Sequence, residues 1–189
     1  MRLTLLMWVL SAATAGADAA VEKYTLDPGH TYPSFEIDHI GFSNQKGWFE
    51  KAAGGLTWDR AAGQGELNVE IDAASVYSGH PVRDNVLKGE QFFDVNKHPR
   101  ITYRSRQLVF TPAGTLQAVE GDLTMRGVTK PVRLEVTAFR CGDHPVTKKP
   151  MCGGHAAAQI NKADFGTFGG ALLGQTVRLS IQFEGYREP

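Results

Sequence analysis

Three stretches of this chain alternate strictly between apolar and polar residues, and no other feature limits the possible folds as much. In residues 66–72, Leu67, Val69 and Ile71 share one face, while Glu66, Asn68 and Glu70 share the other. Val132, Leu134, Val136 and Ala138 alternate in the same way with Arg133, Glu135 and Thr137. Val177, Leu179, Ile181 and Phe183 do so with Arg178, Ser180 and Gln182. Successive side chains on a strand point to opposite faces, so each stretch reads as a strand with one buried and one wet side. Further strands are expected near residues 35–40, 49–58, 101–104, 107–111, 116–125 and 156–161. Turns are expected at Ala53-Gly54-Gly55, Pro112-Ala113-Gly114 and Met125-Arg126-Gly127. Residues 81–89 read as the one short helix: Pro81 suits a first turn, Val82 and Val86 lie four apart, and Gly89 ends it.

About eight one-sided strands cannot stay flat and open without exposing an edge. Closing them into an antiparallel barrel removes the edges, and a barrel of that size is either filled by side chains or holds one small ligand. A two-sheet sandwich satisfies the same alternation and stays open as the alternative. The length of 189 residues, with 42% apolar and 21% charged residues, fits one all-β domain, and 21 glycines supply turns and bulges. Twenty basic residues balance twenty acidic ones, so there is no overall attraction for nucleic acid, and none is expected as a partner.

The first residues read as an export signal. Met1-Arg2 is a positive start, residues 3–13 form a short apolar run, and Ala15-Gly16-Ala17 has the small residues a signal peptidase accepts. A cleaved leader at 1–17, with Ala19/Ala20 as the alternative cut, places the mature chain (18–189) in the periplasm. The run is shorter than the roughly 20 apolar residues of a spanning helix. In an oxidising compartment, Cys141 and Cys152 are expected to close a disulfide around a polar loop. The alternative is a zinc site of Cys141, His144, Cys152 and His155, which needs free thiolates and so conflicts with export.

Several short motifs run through the mature chain in order: Tyr24-Thr-Leu-Asp-Pro-Gly-His30; Ser34-Phe-Glu-Ile-Asp-His39 with Gly41 and Gly47-Trp-Phe49; and Arg83-Asp84 with Leu87. They continue with Phe92-Phe93-Asp94 and Pro99, Gly121-Asp-Leu-Thr124 with Gly127-Val-Thr-Lys-Pro-Val132, and Asp164-Phe165-Gly166. In these the chain resembles the YceI-like proteins, lipocalin-like polyisoprenoid-binding proteins exported by bacteria. The resemblance implies a lipocalin-like barrel with an elongated apolar interior for an isoprenoid chain, and no established catalytic residues. The Cys141–Cys152 segment departs from much of that family.

The expected ligand is therefore a polyisoprenoid or other long-chain lipid, an isoprenoid quinone among them, taken up by transient contact with a membrane surface. A monomer and a homodimer both remain open, and neither cofactor nor metal is expected. The candidate cavity wall comprises Phe35, Ile37, His39, Phe49, Phe92, Phe93, Ile101, Tyr103, Leu123, Met125, Leu134, Phe165 and Phe168. His39 shares parity with Phe35 and Ile37 and is placed inside or at the mouth. As a neutral imidazole it would donate to a quinone carbonyl or a head group, or simply hydrogen-bond a neighbouring backbone group; in the alternative function, a lipid isomerase or hydrolase, it would act as acid/base. Glu36 and Asp38 face away from it. Arg83-Asp84 reads either as a bidentate donor to a pyrophosphate or as a structural pair or cap beside Pro81.

Overall fold

The computed structural model describes residues 21–166 and 173–189. The expected leader and Phe168 lie outside the described residues. Eleven strands and one helix follow in chain order: β1 Glu22–Leu26, β2 Tyr32–His39, β3 Ser43–Phe49, β4 Ala52–Asp59, β5 Gln64–Asp72, β6 Val76–Tyr77, α1 Pro81–Lys88, β7 Arg100–Phe110, β8 Leu116–Met125, β9 Val128–Asp143, β10 Pro150–Asn161 and β11 Leu173–Arg187. All pairings are antiparallel. Eight strands form a ring in the order β1-β4-β5-β7-β8-β9-β10-β11, and β1 returns to β11 to close it. That closure excludes the sandwich. The N-terminal part of β11 pairs instead with β2, which pairs in turn with β3, and β3 with the short β6.

The strictly alternating stretches lie in β5, β9 and β11, and α1 ends at Lys88 with Gly89 as its cap. His80 caps the start of α1, where its Nδ1 accepts from the Arg83 N–H at 3.4 Å. Three expectations fail for identifiable reasons. Ala53-Gly54-Gly55 is not a turn but lies within β4. A Cβ on Gly54 would sit 2.0 Å from the Asn68 carbonyl oxygen, and one on Gly55 2.3 Å from that of Tyr24. These glycines let two neighbouring strands approach closely, one from each side. The break in the expected 49–58 strand comes instead at Glu50 and Lys51, where Glu50 N–H donates to the Ser75 carbonyl. Finally, 101–104 and 107–111 belong to one strand, β7, whose register shifts between Ser105 and Gln107.

The Cys141–Cys152 disulfide forms between directly opposed residues of β9 and β10, which removes the thiolates a zinc site requires. It belongs to one end of the barrel, where Tyr24, Trp58 and Cys152 are buried against Phe110 and Phe139. Trp58 stacks on Phe110 at 5.4 Å between ring centroids, and the Arg60 guanidinium lies 3.8 Å over the indole. Arg60 Nε also donates to Glu22 at 2.6 Å, and Nη2 to the Tyr24 hydroxyl at 3.1 Å. Aromatic rings covered by an ionic clasp thus plug this end. The opposite end carries α1, the 89–99 segment and the β2–β3 turn and, among the described residues, no comparable plug.

Candidate functional site

The inward faces of the ring enclose a cavity of about 390 Å³, within the range of small-molecule sites. Eleven of the candidate wall residues line it: Phe35, Ile37 and His39 from β2, Phe49 from β3, Phe92 and Phe93, Ile101 and Tyr103 from β7, Leu123 and Met125 from β8, and Leu134 from β9. Phe165 does not. It is 1% exposed in a short helical turn and packs within the core cluster, while Gly166 beyond it takes φ 96°, a conformation suited to glycine. Asp164-Phe165-Gly166 is therefore a structural corner.

Phe35, Phe49 and Phe93 meet as a triangle, with centroids 5.9, 5.9 and 5.2 Å apart and two of the three contacts edge to face. Phe35 lies directly across from Gly47, and a Cβ there would stand 2.5 Å from the tip of its ring. Glycine in Gly47-Trp48-Phe49 thus makes room for the cavity wall. The Tyr103 hydroxyl lies 2.9 Å from the carbonyl oxygens of both Val119 and Val132, and its burial pushes the phenol well above the usual range.

The sequence reading omitted several walls, among them Leu67, Val69 and Ile71 of β5. On β11, Val177, Leu179, Ile181 and Phe183 all line the cavity, although their alternation was plain. Along β10, Cys152, Ala156, Ile160 and, just past the strand, Lys162 line it at even positions. At about 3.3 Å per residue and a tilt of about 40°, Cys152 and Lys162 are separated by roughly 25 Å along the barrel axis. Lys162 is 3% exposed and donates to the Leu173 carbonyl at 3.2 Å, and burial lowers its pKa. Parity with Ile160 was the available signal, but a lysine between Asn161 and Ala163 reads as a polar turn.

Apart from Thr31, Ser34 and the hydroxyl-bearing Tyr24 and Tyr103, the polar lining residues are His39, Gln45, Lys46, Ser78, Arg83 and Lys162, all from segments at the α1 end. Arg83 and Asp84 do not pair directly. Arg83 donates from Nε to the Ser78 hydroxyl at 2.8 Å, from Nη1 to Gln45 at 2.6 Å and from Nη2 to the Ser78 carbonyl at 2.7 Å. Asp84 is buried and accepts from the backbone N–H and hydroxyl of Ser78. Asp84 thus has the structural role, tying Ser78 to the helix that His80 caps, while Arg83 faces the cavity.

His39 is exposed at the rim, and among the described residues none is recorded as a hydrogen-bond partner of its ring. Glu36, on the outer side, accepts from Arg178 at 2.9 Å and lies 3.3 Å from Lys46. Elsewhere on the surface, Asp27, His30 and Glu184 hold their ligand atoms within 4.8 Å of one another, with the His30 Nδ1 2.8 Å from Asp27. That cluster is outside the cavity and reads as an ion-pair trio.

Residues 24–185 match the YceI-like domain as a family. The chain belongs to the YceI-like family. Among relatives of this YceI-like chain, a UPF0312 protein of Pseudomonas putida (strain GB-1) is 33% identical over 181 residues, covering 94% of this chain and 93% of the relative. Burkholderia cenocepacia BcnA superposes with a TM-score of 0.70 at 20% identity, covering 84% and 98% of the two chains. A polyisoprenoid-binding domain from Saccharophagus degradans, described as implicated in plant cell wall breakdown, superposes at 0.61 with 17% identity, covering 87% and 98%. At those identities, both structural likenesses show that this YceI-like chain shares the barrel.

Proposed function

We propose that this YceI-like chain is a carrier or sequestering protein that holds the tail of a long-chain amphiphile, foremost a polyisoprenoid, in its barrel. The observation that carries this reading is the 390 Å³ cavity walled by apolar side chains from Cys152 at the plugged end to Ile37 near the rim. Burying about fifteen tail carbons at about 0.8 kcal/mol each yields about 12 kcal/mol, and subtracting about 4 kcal/mol for association leaves micromolar affinity. The Saccharophagus domain, named for polyisoprenoid binding, shares the fold and adds support. The leader-like first residues support export to the periplasm.

Uptake proceeds by transient contact of the open end with a membrane. In support, Ile40 and Phe42 in the β2–β3 turn are 45% and 90% exposed, and Val82 and Val86 on α1 are 66% and 52% exposed. Apolar groups displayed together at a cavity mouth suit partial immersion in lipid. Among the described residues no carboxylate is hydrogen-bonded to the His39 ring, so the binding reading is preferred to an acid/base role for it. The test is native mass spectrometry of the exported chain, with extraction of what copurifies. About one hydrophobic molecule per chain is expected. An empty barrel that also fails to take up added geranylgeraniol would overturn the reading.

A further inference from the structure

Strands β2 and β3 are not part of the eight-strand ring. β2 pairs with β11, and β10 and β9 follow on the other side of β11. Directly opposed residues share a face, so one row crosses six strands on the outside of this sheet: Tyr77, Trp48, Ser34, Ser180, Ala157 and Glu135. The middle three side chains are small. With Trp48 on one side and Glu135 and Arg133 on the other, they leave a trough of about 720 Å³, within the range of small-molecule sites. It lies on the outside of the wall whose inside lines the barrel cavity.

A second row, Lys46, Glu36, Arg178 and Gln159, runs alongside the first and also lines the trough. Its cations are matched by carboxylates. Arg178 Nη2 donates to Glu36 at 2.9 Å, Lys46 lies 3.3 Å from Glu36, and Arg133 donates to Glu120 and Glu135, each at 2.6 Å. Exposed pairs of this kind contribute little to stability, so folding does not account for their being gathered here. Trp48 is half-buried and packs on Tyr77 at 4.8 Å between ring centroids. Gln159 and Ser180 are exposed, and their side-chain polar groups have no partner among the described residues.

That composition narrows the ligand class. Balanced charge exerts no net pull on an anion, a Ser-Ser-Ala floor offers little to an apolar chain, and charged side chains are depleted from the cores of protein interfaces. An uncharged sugar oligomer satisfies all three conditions. Its hydroxyls need donors and acceptors side by side, and the pairs Arg178–Glu36 and Arg133–Glu135 present them in fixed geometry. The C–H face of a ring whose hydroxyls are all equatorial packs on an aromatic side chain.

We propose that this trough is a second binding site, for a neutral oligosaccharide of equatorially substituted hexoses, with one ring on Trp48 and its hydroxyls held by Arg178, Gln159 and Glu135. The site goes beyond the carrier reading and stands without it, because no part of the ligand enters the barrel.

Nuclear magnetic resonance of the exported chain tests it, with cellotetraose as the neutral probe and trigalacturonate as an anionic one. In residues 18–189 the only tryptophans are Trp48 and Trp58, so two indole N–H signals are read, one at the trough and one in the barrel plug. Cellotetraose is expected to move the Trp48 signal, with a dissociation constant of about 1 mM or below, and to leave that of Trp58 in place. Trigalacturonate is expected to bind at least about tenfold more weakly. Gln159→Ala should weaken cellotetraose severalfold, and Trp48→Ala at least about tenfold. Should Trp48→Ala fail to fold, Ala157→Trp, which fills the floor from outside, carries the comparison and should abolish binding. No movement of the Trp48 signal at about 10 mM cellotetraose, equal or tighter binding of trigalacturonate, or unchanged affinity in folded Gln159→Ala and Ala157→Trp would overturn the proposal, and none of these results bears on the lipid carrier.

Discussion

Tyr103 shows how one side chain serves both wall and scaffold. Its ring faces the cavity while its hydroxyl reaches the carbonyls of two different strands, β8 and β9. Tyr103→Phe keeps the ring and removes that link, so a loss of about 1 kcal/mol is expected, read as a lower denaturant midpoint at unchanged slope. Gly121 is tied to the same ring, for a Cβ there would meet the Tyr103 hydroxyl at 2.7 Å and the Arg104 carbonyl at 2.5 Å. At this scale the sequence was informative where period two applied: Phe35, Ile37 and His39 were placed together by parity alone, and all three face the cavity. Parity says nothing about depth, however. Phe165, in a segment without alternation, therefore went to the wrong side of the wall, and Lys162 was missed because a buried lysine contradicts composition before the fold is known.

Among the elements, the two barrel ends behave differently. At the plugged end, burial raises the Glu22 pKa, but the hydrogen bonds from Arg60 and Tyr24 and the charges of Arg60 and Arg187 outweigh it, so the net pKa lies below the usual carboxylate value. A depressed carboxyl stabilises the fold above its unfolded pKa and loses that contribution as pH falls through the folded one. The stability gap between wild type and Glu22→Gln is thus expected at neutral pH and to close below about pH 4, as followed by urea unfolding. The disulfide tethers the same end, and replacing Cys141 and Cys152 by serine should cost roughly 3 kcal/mol. At the open end, Phe42→Ser is expected to slow lipid transfer from vesicles severalfold without changing the unfolding midpoint, since Phe42 is 90% exposed. The glycines of β4 were misread because Gly-Gly signals both a turn and a close strand approach, and only the neighbouring strands distinguish them. β3 was missed because its Ser43-Asn44-Gln45-Lys46 half has no apolar face to alternate.

For the whole molecule, ring closure through β1 and β11 separates a container from two packed layers, and those pairs are more than 150 residues apart in sequence. Local periodicity cannot report so distant a partner, which is why barrel and sandwich looked alike until the strands were in place. Small residues on β10 keep the container hollow. Ala156→Phe is expected to lower tail affinity at least about tenfold while the protein stays folded, because it fills space rather than removing contacts. A compensating loss of stability of several kcal/mol with unchanged affinity would mean that the interior is packed core instead.

One atom at the plugged end has no hydrogen-bond partner among the described residues: the buried indole N–H of Trp58. An indole excited in so dry a setting emits toward the blue, and Trp58 touches side chains that a fully inserted tail would reach. The barrel therefore carries its own gauge of filling. Long guests should perturb that emission, and short ones that stop near the rim should leave it alone.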